Sequence, residues 1–270
     1  MSKGKIIGIV SIKGGVGKTT SVVNLASSLA NDYSKKVLIV DTNFTSPNIG
    51  LHLGSVEHKA TLHEVLKDKV KINEAIYNHQ YGFHFLPGSL YNSNPTNYSK
   101  LKQKLQPLKK YYDYVLLDAS NSLNDELVAS LHASDELYVV TTPDLPTLST
   151  TLRAVKLAKE KGLQIRGLIL NKVRGKNYEL KKEDIERLTG IPVISIINEN
   201  VKVLEALSNV KPITLYSPYS PVALSYKKLA ALLSNSWYKE PSLFKKTFGY
   251  VKDDFFNFVN HDFKNGLKYY

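Results

Sequence analysis

The chain has 270 residues, a formal net charge of +12 and no cysteine. Its 43% hydrophobic and 22% charged residues suffice for a sizeable core and exclude a disordered or fibrous protein. The missing cysteines exclude a disulfide framework, thiolate metal sites and iron–sulfur ligation, and no apolar run approaches the ~20 residues of a membrane-spanning helix.

The first apolar run, residues 6–12, leads straight into a glycine-rich turn. It reads as a buried strand rather than a signal peptide, so a cytoplasmic location is expected. Further strands are predicted at 37–40, 83–86, 114–117, 137–141, 165–170 and 193–197. Helices are predicted at 18–31, 61–66, 99–111, 123–132, 146–161, 179–188, 201–207 and 221–234. Strands that are apolar almost throughout, alternating with helices, signal a doubly wound, mostly parallel α/β sheet with helices on both faces. The polar stretch 88–97 reads as a surface excursion. The lysines are scattered along the chain, as at Lys35–Lys36, Lys100–Lys110 and Lys156–Lys161. Scatter of this kind suits a solvated surface, although a basic binding face assembled in three dimensions stays open.

The composition changes after Pro241, dividing the chain into a domain over 1–240 and an extension over 241–270. Six of the nine phenylalanines fall in the extension: Phe244, Phe248, Phe255, Phe256, Phe258 and Phe263. Apolar residues at 244, 248, 251, 255, 258, 259, 263 and 267 repeat in steps of three and four, which predicts one amphipathic helical stripe. Such a stripe fits a membrane surface, docking on its own domain, or a helical partner.

Between the first strand and the first helix runs "KGGVGKTT". Gly14, Gly15 and Gly17 let the backbone curl so that several N–H groups, Val16's included, point at one anion beside a helix N-terminus. Lys18 would neutralise the β- and γ-phosphates of a nucleotide, and the Thr19 hydroxyl would ligate Mg2+. The general P-loop pattern places a glycine where this chain has Ile12. The variant K-G-G-x-G-K-T-T, Lys13 to Thr20, is matched instead.

On that variant the chain resembles the MinD/ParA family of P-loop ATPases, and looks closest to the archaeal MinD-like members. The stretches "IVDTNFTSPNIGLHLG", "YDYVLLDAS", "VVTTPDLPTLSTTLRAVKLAK", "LILNKV" and "SIINENVKVLEAL" follow in family order. The resemblance implies a homodimer formed across the nucleotide, in which Lys13 reaches the phosphates of the other subunit. It implies Asp118 as the aspartate of the Mg2+ shell, Asp41 as a switch carboxylate near the metal, and Asn171 as the adenine-binding amide. ATP or ADP with Mg2+ are then the expected cofactors.

Two departures stand out. Asn43 occupies the place where many members carry a second aspartate that orients the attacking water. An amide can hold a water but cannot take its proton, so slow hydrolysis is expected. Ser120-Asn121-Ser122 follows Asp118, where relatives often have a proline-glycine turn. The leading expectation is an ATP-dependent dimerising switch that recruits or positions other components, with the extension at a membrane surface and a protein partner stimulating hydrolysis. The alternatives are a ParA-like dimer resting nonspecifically on DNA, and a nucleotide-locked dimer that scarcely hydrolyses. The seven histidines show no metal-ligand spacing.

Overall fold

The computed structural model describes residues 4–91 and 97–242. The predicted helical stripe, which begins at residue 244, therefore lies outside the described residues, as does the middle of the 88–97 excursion.

Among the described residues, eight strands form one sheet: β1 (Lys5–Val10), β2 (Val37–Thr42), β3 (Tyr77–Asn78), β4 (His84–Leu86), β5 (Tyr114–Ala119), β6 (Glu136–Thr141), β7 (Ile165–Val173) and β8 (Val193–Asn198). Their order is β3-β4-β2-β5-β1-β6-β7-β8. All neighbours are parallel except the short β3–β4 pair. This is the doubly wound α/β arrangement the sequence predicts.

Ten α-helices among the described residues connect or flank the strands. They are α1 (Lys18–Asn31), α2 (Ile49–His52), α3 (Leu62–Leu66), α4 (Leu101–Leu105), α5 (Asp125–Ala133), α6 (Leu145–Glu160), α7 (Lys182–Thr189), α8 (Lys202–Ser208), α9 (Ile213–Tyr216) and α10 (Pro221–Leu233). The side chains of each strand alternate between the two faces, and both faces are buried. Ile7, Ile9, Val37, Ile39 and Leu116 pack with Val22, Leu25 and Leu29 of α1 and with Val222, Tyr226 and Leu229 of α10. The opposite parity, Ile6, Leu38, Val40, Val115 and Leu117, packs with Leu62 and Val65 of α3 and with Leu101 and Leu105 of α4. Farther along that second face, Val139, Leu168 and Leu170 meet Leu127, Leu148 and Ile185 of α5, α6 and α7.

Several boundaries move for local reasons. The helix expected over 99–111 is broken into a 3-10 turn at Tyr98–Lys100, then α4, then a 3-10 turn at Gln106–Lys110 that contains Pro107. The helix expected from 123 starts later, where the Asn124 side chain accepts the Leu127 N–H at 3.0 Å and caps α5. The helix expected from 179 starts at Lys182, because the Glu179 carboxylate instead accepts the backbone N–H groups of Arg174 and Lys176. Elements α2, α9 and β3 were not expected; they are too short to carry a periodic signal.

The order places β1 between β5 and β6, so the connections leave it in opposite directions. The crevice at such a switch point, at the C-terminal ends of the strands, is where open α/β sheets bind ligands.

Candidate functional site

The loop from Ser11 to Gly17 leaves the end of β1 and enters α1. Gly15 and Gly17 take φ of +77° and +91°, the left-handed region that a side chain resists. A Cβ on Gly17 would stand 2.3 Å from Asn171 Nδ2, so only glycine fits there. α1 starts with no side-chain cap and no acidic residue in its first turn. Its leading N–H groups are arranged for an anion rather than for a capping side chain.

Beneath the loop, Lys18 Nζ donates to Asp118 Oδ1 at 2.8 Å, and Thr19 Oγ1 donates to Asp118 Oδ2 at 2.7 Å. Asp118 lies one residue before the end of β5, in register with Asp41 on the adjacent β2, and both aspartates are fully buried. Asp41 accepts the backbone N–H groups of Asn43 (3.2 Å), Asn48 (2.8 Å) and Ile49 (2.9 Å). Burial, and then the charge of Asp118, still push its pKa up to about 7. Two buried carboxylates beside one ammonium leave a demand for positive charge. With the Thr19 hydroxyl they form an all-oxygen donor set. Among the described residues, no three His, Cys, Asp or Glu side chains gather into a metal cage. Two carboxylates and a hydroxyl fit Mg2+, which keeps waters and phosphate oxygens in its shell rather than entering an all-protein cage.

Asn171, at the end of β7, is buried and donates from Nδ2 to the Val16 carbonyl at 2.7 Å, fastening the loop to the sheet. Beside it opens a cavity of about 480 Å³ that includes Gly17, Thr20, Asn198, Asn200, Val201 and Leu204 in its lining. Its polar edge of amides and its apolar wall suit a planar base with hydrogen-bonding edges.

Lys13 turns away from this cluster. Its Nζ donates to Thr147 Oγ1 at 2.7 Å and to Asp144 Oδ1 at 3.1 Å, with both ends of the ion pair about two-fifths exposed. Asp144 is the N-cap of α6 and accepts the Thr147 N–H at 2.9 Å. Partial burial pushes its carboxyl up, but the hydrogen bonds from Thr142, Thr147 and Lys13 win and bring it down to about 2.

A family model described as "AAA domain" matches residues 4–165. An uncharacterised ATP-binding protein of Methanocaldococcus jannaschii is 33% identical over 234 residues, spanning 85% of this chain and 88% of its own. Among solved structures, the cell division ATPase MinD of Pyrococcus furiosus superposes with a TM-score of 0.81 at 31% identity, covering 86% of this chain and 99% of that one. The chain belongs to the MinD/ParA family of P-loop ATPases. Within that family it lies near the archaeal MinD-like members. The septum site-determining protein MinD of Pyrococcus horikoshii, solved with Mg-ADP, matches with a TM-score of 0.80 and 32% identity over 85% of this chain and 95% of that one.

Against the MinD/ParA pattern, the structure gathers Gly14, Gly15, Val16, Gly17, Lys18, Thr19, Asp41, Asp118 and Asn171 around one crevice; Thr20 and Asn171 face the adjoining cavity. Lys13, on Asp144, and Asn43 are the exceptions; Asn43 keeps only its backbone N–H on Asp41. It is buried, and its Nδ2 donates to the Ser46 carbonyl of its own loop at 2.6 Å. Three residues escape a reading of motifs. Asp144 holds Lys13, and its only local signal is an acidic residue just before a helix. Lys172 donates from Nζ to the Gly15 carbonyl at 2.7 Å, from a left-handed backbone (φ +56°) where the β7–β8 register slips. Glu126, buried on α5, carries no motif signal at all.

Proposed function

We propose that this MinD/ParA-type ATPase is a nucleotide-dependent dimerising switch that hydrolyses ATP slowly and positions or recruits other components. The observation that carries the reading is the pair of lysines on one loop with opposite placements. Lys18 is buried on Asp118 within its own crevice, whereas Lys13 is half-exposed on Asp144 at the crevice's outer side.

On this reading Lys18 leaves Asp118 for the β- and γ-phosphates, while the loop N–H groups of residues 14–19 cradle them. Thr19, Asp118 and Asp41 would hold Mg2+, which supplies charge neutralisation at the phosphates. Asn171 and the 198–204 segment receive the adenine. Lys13 exchanges Asp144 for phosphates bound by a second copy, so the dimer forms only around the triphosphate. Asn43 offers an amide in place of a proton-accepting carboxylate, which slows turnover and makes hydrolysis a timer. The extension over 241–270 extends the proposal to a membrane surface, where two copies of a weak amphipathic anchor bind far better than one. A protein partner that stimulates hydrolysis completes the cycle.

Steady-state ATP turnover at rising protein concentration tests the switch. The rate per chain should climb with concentration and level off once dimers dominate. A rate per chain independent of concentration would contradict a dimer-dependent site.

A further inference from the structure

The loop over 43–48, which carries Asn43 away from the end of β2, is fastened on its far side. Phe44 is buried with its ring 4.7 Å from that of Tyr98 and edge-on to His63 at 5.2 Å. The next residue, Thr45, is exposed, yet its hydroxyl donates to Glu126 Oε1 and its backbone N–H lies 3.4 Å from Glu126 Oε2. Tyr98 Oη lies 3.4 Å from Glu126 Oε1, so one tyrosine touches both fastenings.

Glu126 is only 3% exposed and sits in the first turn of α5, the helix that follows Asp118. The same helix grips the strand ends below. Ser130 Oγ donates to Thr42 Oγ1 at 2.9 Å, and Thr42 Oγ1 donates to the Asp118 carbonyl at 3.0 Å. α5 therefore holds the segment before Asn43 through Ser130 and the segment after it through Glu126. A carboxylate taken out of water needs strong acceptor duty to offset its desolvation. Here that duty falls on the Thr45 and Tyr98 donors.

We propose that Glu126 is a positioning residue for ATP hydrolysis, fixing the 43–48 loop to α5 through Thr45 and Tyr98 so that Asn43 keeps one place relative to Asp41 and Asp118. Its side chain acts through the loop, by way of Thr45 and Tyr98. The tether is also a route by which a displacement of α5 alters hydrolysis without altering nucleotide binding. The inference rests on the ATPase reading given above.

The test is a double-mutant cycle on the full chain, following ATP turnover and the Kd of a fluorescent ATP analogue. Glu126→Ala and Thr45→Val should each lower kcat about tenfold while leaving Kd within about twofold, because a misplaced catalytic loop costs rate rather than ground-state binding. The double variant should be no slower than the slower single one, as expected for two ends of one contact. Thr45→Ser, which keeps the hydroxyl, should restore the wild-type rate. If Glu126→Ala does not fold, Glu126→Gln paired with Thr45→Val makes the same cycle, since the amide turns a donor toward a donor. Effects that multiply in the double variant, an unchanged kcat, or a Kd that rises in step with the loss of rate would each overturn the tether. A wild-type chain without ATP turnover would overturn the ATPase reading and the tether with it, whereas wild-type turnover with multiplying effects would overturn the tether alone.

Discussion

Asn43 spends its side-chain N–H on Ser46 and its backbone N–H on Asp41, so an aspartate at this position would lose one bond and set a like charge beside another carboxyl. Asp41 already has its pKa raised from 3.8 to about 7. A raised carboxyl contributes stability that is complete below its unfolded value and is lost as pH rises through the folded one. Asn43→Asp should therefore lower the melting temperature of the nucleotide-free protein, and more so as pH rises toward 7. It should also raise ATP turnover by roughly tenfold or more, since a positioned base commonly contributes 10²–10⁴. Turnover that does not change would place the limit elsewhere than the missing carboxylate. The phosphate loop, Asp41, Asp118 and Asn171 were legible because each lies at or within two residues of the C-terminal end of a strand or just beyond it, and keeps a fixed spacing within a local motif. Asp144, Lys172 and Glu126 were not, because their partners lie 131, 157 and 81 residues away in sequence. No local pattern encodes such pairings.

At the scale of elements, strands β1, β2 and β5 were readable because burial on both faces leaves continuous apolar runs. Helix α1 coincides with its expected span, since the glycine loop fixes its start. Starts set by side-chain caps or glutamate hydrogen bonds moved by two or three residues, and the stretch containing Pro107 divided into three. The C-terminal extension is an element whose case rests on its apolar period alone. The chain approaches it through Trp237, the only tryptophan, which is 89% exposed. In sedimentation with liposomes, the full chain should pellet with ATP and remain in solution with ADP, while a chain ending at Glu240 should remain in solution with both. Equal behaviour of the two chains would assign the stripe to docking on the domain or on a helical partner.

The molecule as a whole brings distant loops to one crevice by its strand order. β1, β2, β5, β7 and β8 all deliver their C-terminal ends there, and β1 supplies the switch point. Order of this kind was legible as a class, through alternation and the family motifs, but the antiparallel β3–β4 edge was not. Part of the 36 lysines and arginines is paired locally, and the +12 is their excess over the 24 acidic residues. Lys5 meets Glu136, Lys109 meets Asp135, Lys227 meets Asp32 and Lys228 meets Glu240, while Lys100 and Lys104 share Asp68. Surface pairs like these, several of them only partly exposed, add little stability. In the proposed switch, the feature that would give the fold a second state is Lys13, held here by its own Asp144.

The most direct measurement is the mass in solution, by light scattering, of the wild-type chain and of Lys13→Ala with ATP and with ADP. The wild type should double in mass with ATP and stay monomeric with ADP. Lys13→Ala should stay monomeric with both while still binding ATP. ATP-dependent dimers of Lys13→Ala would contradict the role given to this lysine and, with it, the coupling of nucleotide to assembly.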